Sequence, residues 1–127
     1  MSAIDVRDAQ RRLLGAGGGY EVVHASTGLE VGVYVLVAPE ADRQQPHEHD
    51  ELYAVLEGSC VLDVARERIP LDEGKAAFVP AGVEHRFSGY ERLSVLVVFA
   101  RTSSAPGMSF APTPGPGNSE GGDVYAP

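Results

Sequence analysis

The sequence predicts an all-β domain, folded as an antiparallel sandwich or small barrel. Three observations support this class: many short segments rich in β-branched and aromatic residues, glycine turns between them, and one short helical pattern. At 127 residues the chain has the length of a single domain, and its hydrophobic fraction of 43% is ordinary for a globular protein.

Residues 1–19 are predicted to form a helix followed by a glycine-rich linker. Within residues 4–14, charged residues separate four apolar ones, as in a short amphipathic helix: Ile4, Ala9, Leu13 and Leu14. Gly15 and the three consecutive glycines from residue 17 are expected to end the helix, because glycine disfavours helical backbone.

Residues 20–101 are predicted to form the β-domain. Turn signals separate seven strand-like segments: 20–25, 29–37, 51–56, 59–64, 66–71, 75–79 and 93–99. The last segment is almost continuously apolar, which indicates a central strand buried on both faces. The polar segment 39–46 interrupts the strand pattern.

Residues 102–127 differ sharply in composition from the rest of the chain. Proline, glycine, serine and threonine dominate, so this segment buries too little apolar surface to offset the entropy lost on ordering. We expect a flexible tail.

The net charge of the chain argues against nucleic acid and anionic membranes as partners. A formal net charge of −8 disfavours binding to nucleic acid or to anionic membranes, since both carry negative charge. The single cysteine, Cys60, permits no intramolecular disulfide, which suits a reducing compartment. With no signal pattern at the N-terminus, we expect a cytoplasmic protein.

Three of the four histidines fall in two short segments. His47, His49 and Glu51 occupy alternating positions, so in an extended segment their side chains would share one face. Imidazole and carboxylate groups are ligands for divalent ions such as iron, manganese, nickel and zinc. The remaining histidine, His24, stands alone in a predicted strand and is expected to have an ordinary structural role.

These two segments resemble the paired motifs of the cupins. The first, PHEHDELYAVLEG, supplies His47, His49, Glu51 and a glycine seven residues after the acid. The second, GKAAFVPAGVEH, supplies Gly74, Pro80, Gly82 and His85 at the spacing of the second motif. The sequence departs from the pattern in a one-residue spacer before Glu51, in Gly89 where the second motif ends with asparagine, and in the lack of a leading glycine.

The resemblance implies a double-stranded β-helix, or jelly-roll barrel, spanning about residues 20–100. It also implies that His47, His49, Glu51 and His85 bind one divalent ion: iron, zinc, manganese or nickel. Glu51 is a candidate proton-transfer group as well. Tyr53 shares its face by alternation, so it either offers a phenol to a bound substrate or packs inside the barrel. Asp50 is expected on the opposite face.

Small cupins host several functions, so the site must decide among them. The first hypothesis is a metal-dependent enzyme of the dioxygenase, isomerase, cyclase or lyase type, acting on a small oxygenated molecule. The alternative is a module that binds a metal or small molecule without turnover. We also expect a homodimer, with residues 20–25 in the contact, because pairing removes an exposed sheet edge.

Overall fold

The computed structural model describes residues 2–101 and 126–127. Within these ranges lie one helix and eight strands: α1 (Val6–Gly15), β1 (Gly19–Ala25), β2 (Leu29–Val37), β3 (Glu51–Glu57), β4 (Ser59–Val64), β5 (Glu67–Asp72), β6 (Ala76–Val79), β7 (His85–Ser88) and β8 (Arg92–Ala100). The predicted all-β jelly-roll class with a short N-terminal helix is confirmed. Except for Ala126 and Pro127, the predicted flexible tail lies outside the described residues.

The strands form two antiparallel sheets. One has five strands in the order β1-β2-β8-β3-β6, and the other has three in the order β5-β4-β7. The apolar segment predicted to be a central strand is β8, which pairs with β2 on one side and β3 on the other. The chain crosses from one sheet to the other several times. These crossings bring residues from distant parts of the sequence to the same end of the barrel.

The core lies between the two sheets. Side chains alternate along each strand, so every second residue of the larger sheet faces the smaller one. Both sheets contribute fully buried side chains to this core: Tyr34, Leu36, Tyr53, Val95 and Val97 from the larger sheet, and Leu62 and Phe87 from the smaller. Each such apolar side chain contributes roughly 1.5–3 kcal/mol relative to an exposed position.

The N-terminal helix covers part of the outer face of the larger sheet. Asp5 caps it, since its side chain accepts a hydrogen bond from the Asp8 N–H at 3.0 Å. Ala9 and Leu13 then pack against Val33 and Val35 of β2. Predicted over residues 4–14, the helix is observed over Val6–Gly15. No helix among the described residues is long and apolar enough to cross a membrane.

The segment before β3 shows alternating burial without strand pairing. His47 and His49 do not lie on a strand with Glu51, because β3 begins at Glu51 itself. Pro46 has no N–H to donate to a ladder, and the backbone carbonyl of His47 bonds to Gly82 rather than to a strand. The alternating exposure nevertheless persists through this segment, since His49 and Glu51 are buried whereas Asp50 is exposed.

Candidate metal centre

The two sheets each contribute one residue to a site at the mouth of the barrel. Glu51 is the first residue of β3 in the larger sheet, and His85 is the first residue of β7 in the smaller sheet. His47 lies four residues before Glu51 on the segment that leads into β3. The side chains therefore meet only because the two sheets face each other.

Donor atoms of His47, Glu51 and His85 converge tightly. One atom from each of the three side chains lies within 4.8 Å of the other two. His85 Nε2 is 3.3 Å from Glu51 Oε1, and His47 Nδ1 is 3.9 Å from the same oxygen. The two imidazole rings lie 5.4 Å apart between centroids. The two histidine segments thus meet, as the sequence predicts.

The burial of these atoms fits a cation. Glu51 is only 2% exposed, and among the described residues neither of its carboxylate oxygens has a hydrogen-bond partner. The same holds for His47 Nδ1. Burying such groups unsatisfied costs free energy, and buried polar atoms normally find partners. A divalent ion held by His47, Glu51 and His85 would satisfy all three side chains together.

The turn before β7 is fastened to the segment that carries His47. The Gly82 N–H donates to the His47 carbonyl at 2.6 Å, and the Ala81 N–H donates to Asp50 Oδ1 at 3.0 Å. Gly82 has a φ of +79°, a conformation that favours glycine. Asp50 is exposed, as predicted, and it helps to hold the two histidine segments together.

Each imidazole has a second contact that fixes its orientation. His85 Nδ1 lies 2.9 Å from the Val83 carbonyl, so this nitrogen carries the proton and Nε2 faces Glu51. The His47 ring stacks on Phe99 with centroids 4.9 Å apart. His47 Nε2 donates to the Pro127 carbonyl at 2.6 Å, leaving Nδ1 directed toward Glu51.

The pKa values of the two histidines shift in opposite directions. Burial lowers the pKa of His47, and the nearby Glu51 carboxylate offsets this only in part. Burial also opposes protonation of His85, but the Glu51 carboxylate, the Val83 carbonyl and Asp42 together outweigh it and raise the pKa of His85. His85 is also the closer of the two imidazoles to the carboxylate.

A buried polar network that the sequence analysis missed adjoins the site. Asp42 accepts hydrogen bonds from Tyr34 Oη at 2.7 Å and from the Phe87 N–H at 2.9 Å. It also accepts from Gln44 Nε2 at 2.6 Å. Gln44 Oε1 in turn accepts from Tyr53 Oη at 2.6 Å. The polar segment 39–46 predicts a loop, and nothing in its composition signals that Asp42 and Gln44 are buried.

Tyr53 reaches the site through this network. It is fully buried, and its hydroxyl lies 3.0 Å from His85 Nε2. Burial, reinforced by the Glu51 carboxylate, raises the pKa of Tyr53 well above its ordinary value. Of the two roles left open by the sequence, packing in the barrel is therefore observed, and the phenol also points at the candidate ligand His85.

His49 occupies a different place from the other predicted ligands. It is 7% exposed, and its electrostatic influence contributes to the lowered pKa of His47. It is not one of the three residues whose donor atoms converge. His24 is exposed on β1.

Comparison with known proteins decides the family. A profile of the cupin domain matches residues 33–99, more than half of the chain. This chain belongs to the cupin family. The matched region includes His47, Glu51 and His85, so the whole candidate metal centre lies within the cupin domain.

Individual relatives resemble this chain over most of its length. An uncharacterized protein of Streptomyces coelicolor, SCO3923, is 34% identical over 105 residues, covering 82% of this chain and all of that protein. The crystal structure of TT1209 from Thermus thermophilus is 30% identical, with a TM-score of 0.64, covering 79% of this chain and 97% of that one. KdgF from Halomonas sp. shares the fold at 19% identity and a TM-score of 0.60, covering 70% and 83% of the two chains.

A cleft opens beside the cupin site. Its volume is about 180 Å³, and the buried residues Gln44 and His85 are among those that line it. Charged residues of the smaller sheet and its loops line the rest, among them Asp63, Glu84 and Arg86. Pockets for drug-sized ligands usually measure about 300–1,000 Å³, so this cleft is smaller than most of them.

Proposed function

We propose that this cupin is a metal-dependent enzyme acting on a small oxygenated molecule, of the dioxygenase, isomerase, cyclase or lyase type. One observation carries the proposal: buried donor atoms of His47, Glu51 and His85 lie within 4.8 Å of one another, and the Glu51 oxygens have no hydrogen-bond partner among the described residues. Since such an arrangement is costly in a purely structural role, it supports a site built for a cation.

The proposed ion is divalent: iron, zinc, manganese or nickel, all of which accept imidazole and carboxylate ligands. When bound, it would supply a Lewis acid that polarises a substrate oxygen, with redox chemistry added only if the ion is redox-active. His47, Glu51 and His85 hold the ion in this proposal, and His49, buried two residues from both His47 and Glu51, is retained as a further ligand candidate.

Two side chains are proposed to move or hold protons during the reaction. The Tyr53 hydroxyl lies 3.0 Å from His85 Nε2, where it can donate a hydrogen bond to a substrate oxygen beside the ion. Glu51 offers two carboxylate oxygens, so one can bind the ion while the other accepts a proton. The cleft beside Gln44 and His85 is proposed to admit the substrate.

The alternative, a module that binds without turnover, has one observation in its favour. The polar groups next to the donor set, Gln44 and Tyr53, already bond to each other at 2.6 Å. For turnover, a substrate must therefore break the hydrogen bond between Tyr53 and Gln44, or Glu51 must be the only group that transfers protons. A module that only binds a metal and a small ligand requires neither of these.

Metal analysis of the purified protein tests the site. We expect close to one divalent ion per chain, and we expect His47→Ala and His85→Ala each to lose most of it while retaining the β-sheet circular dichroism. His24→Ala is the matched control, because His24 is exposed and outside the converging group. Full metal content in both site variants would refute the assignment of the site.

Turnover separates the enzyme from the binding module. Iron-loaded and zinc-loaded protein should be screened against small hydroxy acids, keto acids and sugars, following oxygen uptake and product formation. Oxygen consumption by the iron form alone indicates a dioxygenase, whereas product from the zinc form indicates isomerase, cyclase or lyase chemistry. Metal binding without turnover on any class would favour the module.

We also propose a homodimer formed along β1. This strand is at the edge of the larger sheet, and Val22 on it is 39% exposed. An open edge with apolar side chains favours pairing with a second copy. Light scattering coupled to size-exclusion chromatography should give twice the chain mass of 13.4 kDa; a monomer at high concentration would exclude the dimer.

A further inference from the structure

We infer that the side-chain oxygen of Gln44 is a further donor to the ion, beside His47, Glu51 and His85. The inference rests on the proposed metal function. Gln44 is only 2% exposed, and it lies outside both sequence segments that predict the site.

Its amide can face the site in only one orientation. Gln44 Nε2 donates to Asp42 Oδ2 at 2.6 Å, and a carboxylate can only accept. Asp42 is itself held by the Tyr34 hydroxyl and the Phe87 N–H. The amide therefore cannot flip without losing this bond, and Gln44 Oε1 must point toward His85 and Tyr53.

The distances match a coordination sphere. Gln44 Oε1 lies 3.1 Å from His85 Nε2, and Glu51 Oε1 lies 3.3 Å from the same nitrogen. Donors at about 2.1 Å from one ion are separated by about 3.0–3.4 Å at octahedral or tetrahedral angles. The distances from His85 Nε2 to Gln44 Oε1 and to Glu51 Oε1 are therefore those expected between neighbouring ligands of one ion.

The contacts around His85 Nε2 also favour a cation. Because His85 Nδ1 donates to Val83, the neutral imidazole offers a lone pair at Nε2, facing the oxygens of Gln44 and Glu51. Lone pairs repel unless a positive charge lies among them. A proton on His85 Nε2 would pair that nitrogen with the oxygens, but it leaves His47 Nδ1 without a hydrogen-bond partner among the described residues. An ion shared by all four residues satisfies the whole set.

This donor set has consequences for the metal. Two imidazoles, one carboxylate and one neutral amide oxygen form a mixed nitrogen and oxygen set with a single negative charge. Such ligands suit iron, manganese, nickel or zinc, and they disfavour soft ions such as copper(I).

The test compares the metal affinity of Gln44→Leu with that of two controls. Gln45→Leu is the matched surface control, since Gln45 is exposed. Tyr53→Phe removes the hydroxyl that bonds Gln44 and His85 but keeps the amide. Zinc dissociation constants come from competition with a chromogenic chelator, and cobalt(II) absorption spectra report the coordination sphere directly.

If Gln44 is a ligand, Gln44→Leu weakens zinc binding by at least about tenfold and changes the cobalt(II) visible bands. Gln45→Leu stays within about threefold of the native affinity, and both Gln45→Leu and Tyr53→Phe keep the cobalt(II) bands of the native protein, because neither removes a ligand. If Gln44 only positions His85 through the Tyr53 network, Tyr53→Phe and Gln44→Leu lose affinity equally and the cobalt(II) bands keep their shape. That outcome overturns the inference.

Gln44→His is a second variant that tests the inference even if Gln44→Leu does not fold. An imidazole at this place should restore zinc affinity and shift the cobalt(II) bands if the position belongs to the coordination sphere. Unchanged bands in Gln44→His would overturn the inference. If His47→Ala and His85→Ala also keep the metal, the proposed function fails; if they lose it while both Gln44 variants behave like native protein, only the role of Gln44 fails.

Discussion

Two buried polar clusters lie on opposite faces of the five-stranded sheet. On the outer face, Gln10 of the helix donates to Glu57 Oε1 at 2.7 Å and to Ser94 Oγ at 3.0 Å. On the inner face, His47, Glu51 and His85 form the candidate metal centre. Both clusters join residues distant in sequence.

The clusters differ in how completely their polar atoms are paired. In the outer cluster the Gln10 amide also accepts from Arg7 at 2.7 Å, so both ends of it are bonded. In the inner cluster both Glu51 oxygens and His47 Nδ1 have no hydrogen-bond partner among the described residues. Complete pairing is typical of a structural network, whereas incomplete pairing in a converging donor set indicates a ligand site.

Replacing Glu51 should have the largest effect on metal binding at the inner cluster. We expect Glu51→Leu to weaken metal binding by more than about 100-fold, since even loss of a residue that only supports a ligand costs about 10- to 100-fold. In metal-free buffer at a pH above the raised pKa of His85, where no ion pair is lost, the same variant should be more stable by about 1–3 kcal/mol, because it removes a buried carboxylate that has no hydrogen bond among the described residues. Urea denaturation with a chelator present measures this; lower stability would mean that Glu51 has a structural role.

Gly58→Ala should have the largest effect on the fold itself. Gly58 follows Glu57 of the outer cluster, has a φ of +94°, and an added Cβ would lie 2.2 Å from the Arg92 carbonyl oxygen. Because that oxygen belongs to the backbone, we expect a loss of about 3 kcal/mol or more in the free energy of unfolding. Gly28→Ala is the control, since an added Cβ there meets nothing within 4 Å and the backbone is unstrained. Equal denaturation midpoints would contradict the prediction.

Removing Gln10 should affect stability but not metal binding. Gln10→Ala leaves buried Ser94 without this hydrogen bond, and we expect a loss of about 1–3 kcal/mol. The zinc dissociation constant should stay within about threefold of the native value, because the sheet separates the two clusters. Thermal unfolding and chelator competition on the same sample measure both; a matching loss of affinity would show that the clusters are coupled.

The smallest predicted effect concerns the chemical reactivity of the Cys60 thiol. It is 5% exposed in the core, and burial raises its pKa from 9.0 to about 11. At pH 8 the thiolate fraction should therefore be about 100-fold lower than in the unfolded chain, and labelling should slow accordingly because only the thiolate reacts. Iodoacetamide labelling followed by mass spectrometry should show slow modification in native protein and rapid modification in urea. Fast labelling of native protein would indicate that the barrel opens readily.

Much of the architecture could be predicted from local pattern. The bounds of β2 and β4 agree with those predicted, and the apolar segment at residues 93–99 is the central strand β8. Alternation and glycine turns suffice here because they report which face of a strand is buried. At His47 and His49 alternating burial continues although no strand forms, so alternation alone does not identify a strand.

The site was predicted less completely than the fold. Histidine and glutamate at the spacing of the cupin motifs pointed to His47, Glu51 and His85, whose donor atoms converge. Asp42 and Gln44 gave no signal, because a polar loop residue and a buried polar residue look alike in sequence. The Pro127 contact with His47 joins residues 80 positions apart, beyond the reach of any local pattern.

By itself the sequence predicted the fold class, the positions of most strands along the chain and the chemical kind of the candidate site, because these depend on residue type and spacing along the chain. Only the tertiary structure decided which donor atoms converge and how each imidazole and the Gln44 amide are oriented. It also decided which buried atoms have no hydrogen-bond partner among the described residues. Those properties arise when the two sheets face each other, and they depend on distances between residues that no spacing along the chain records.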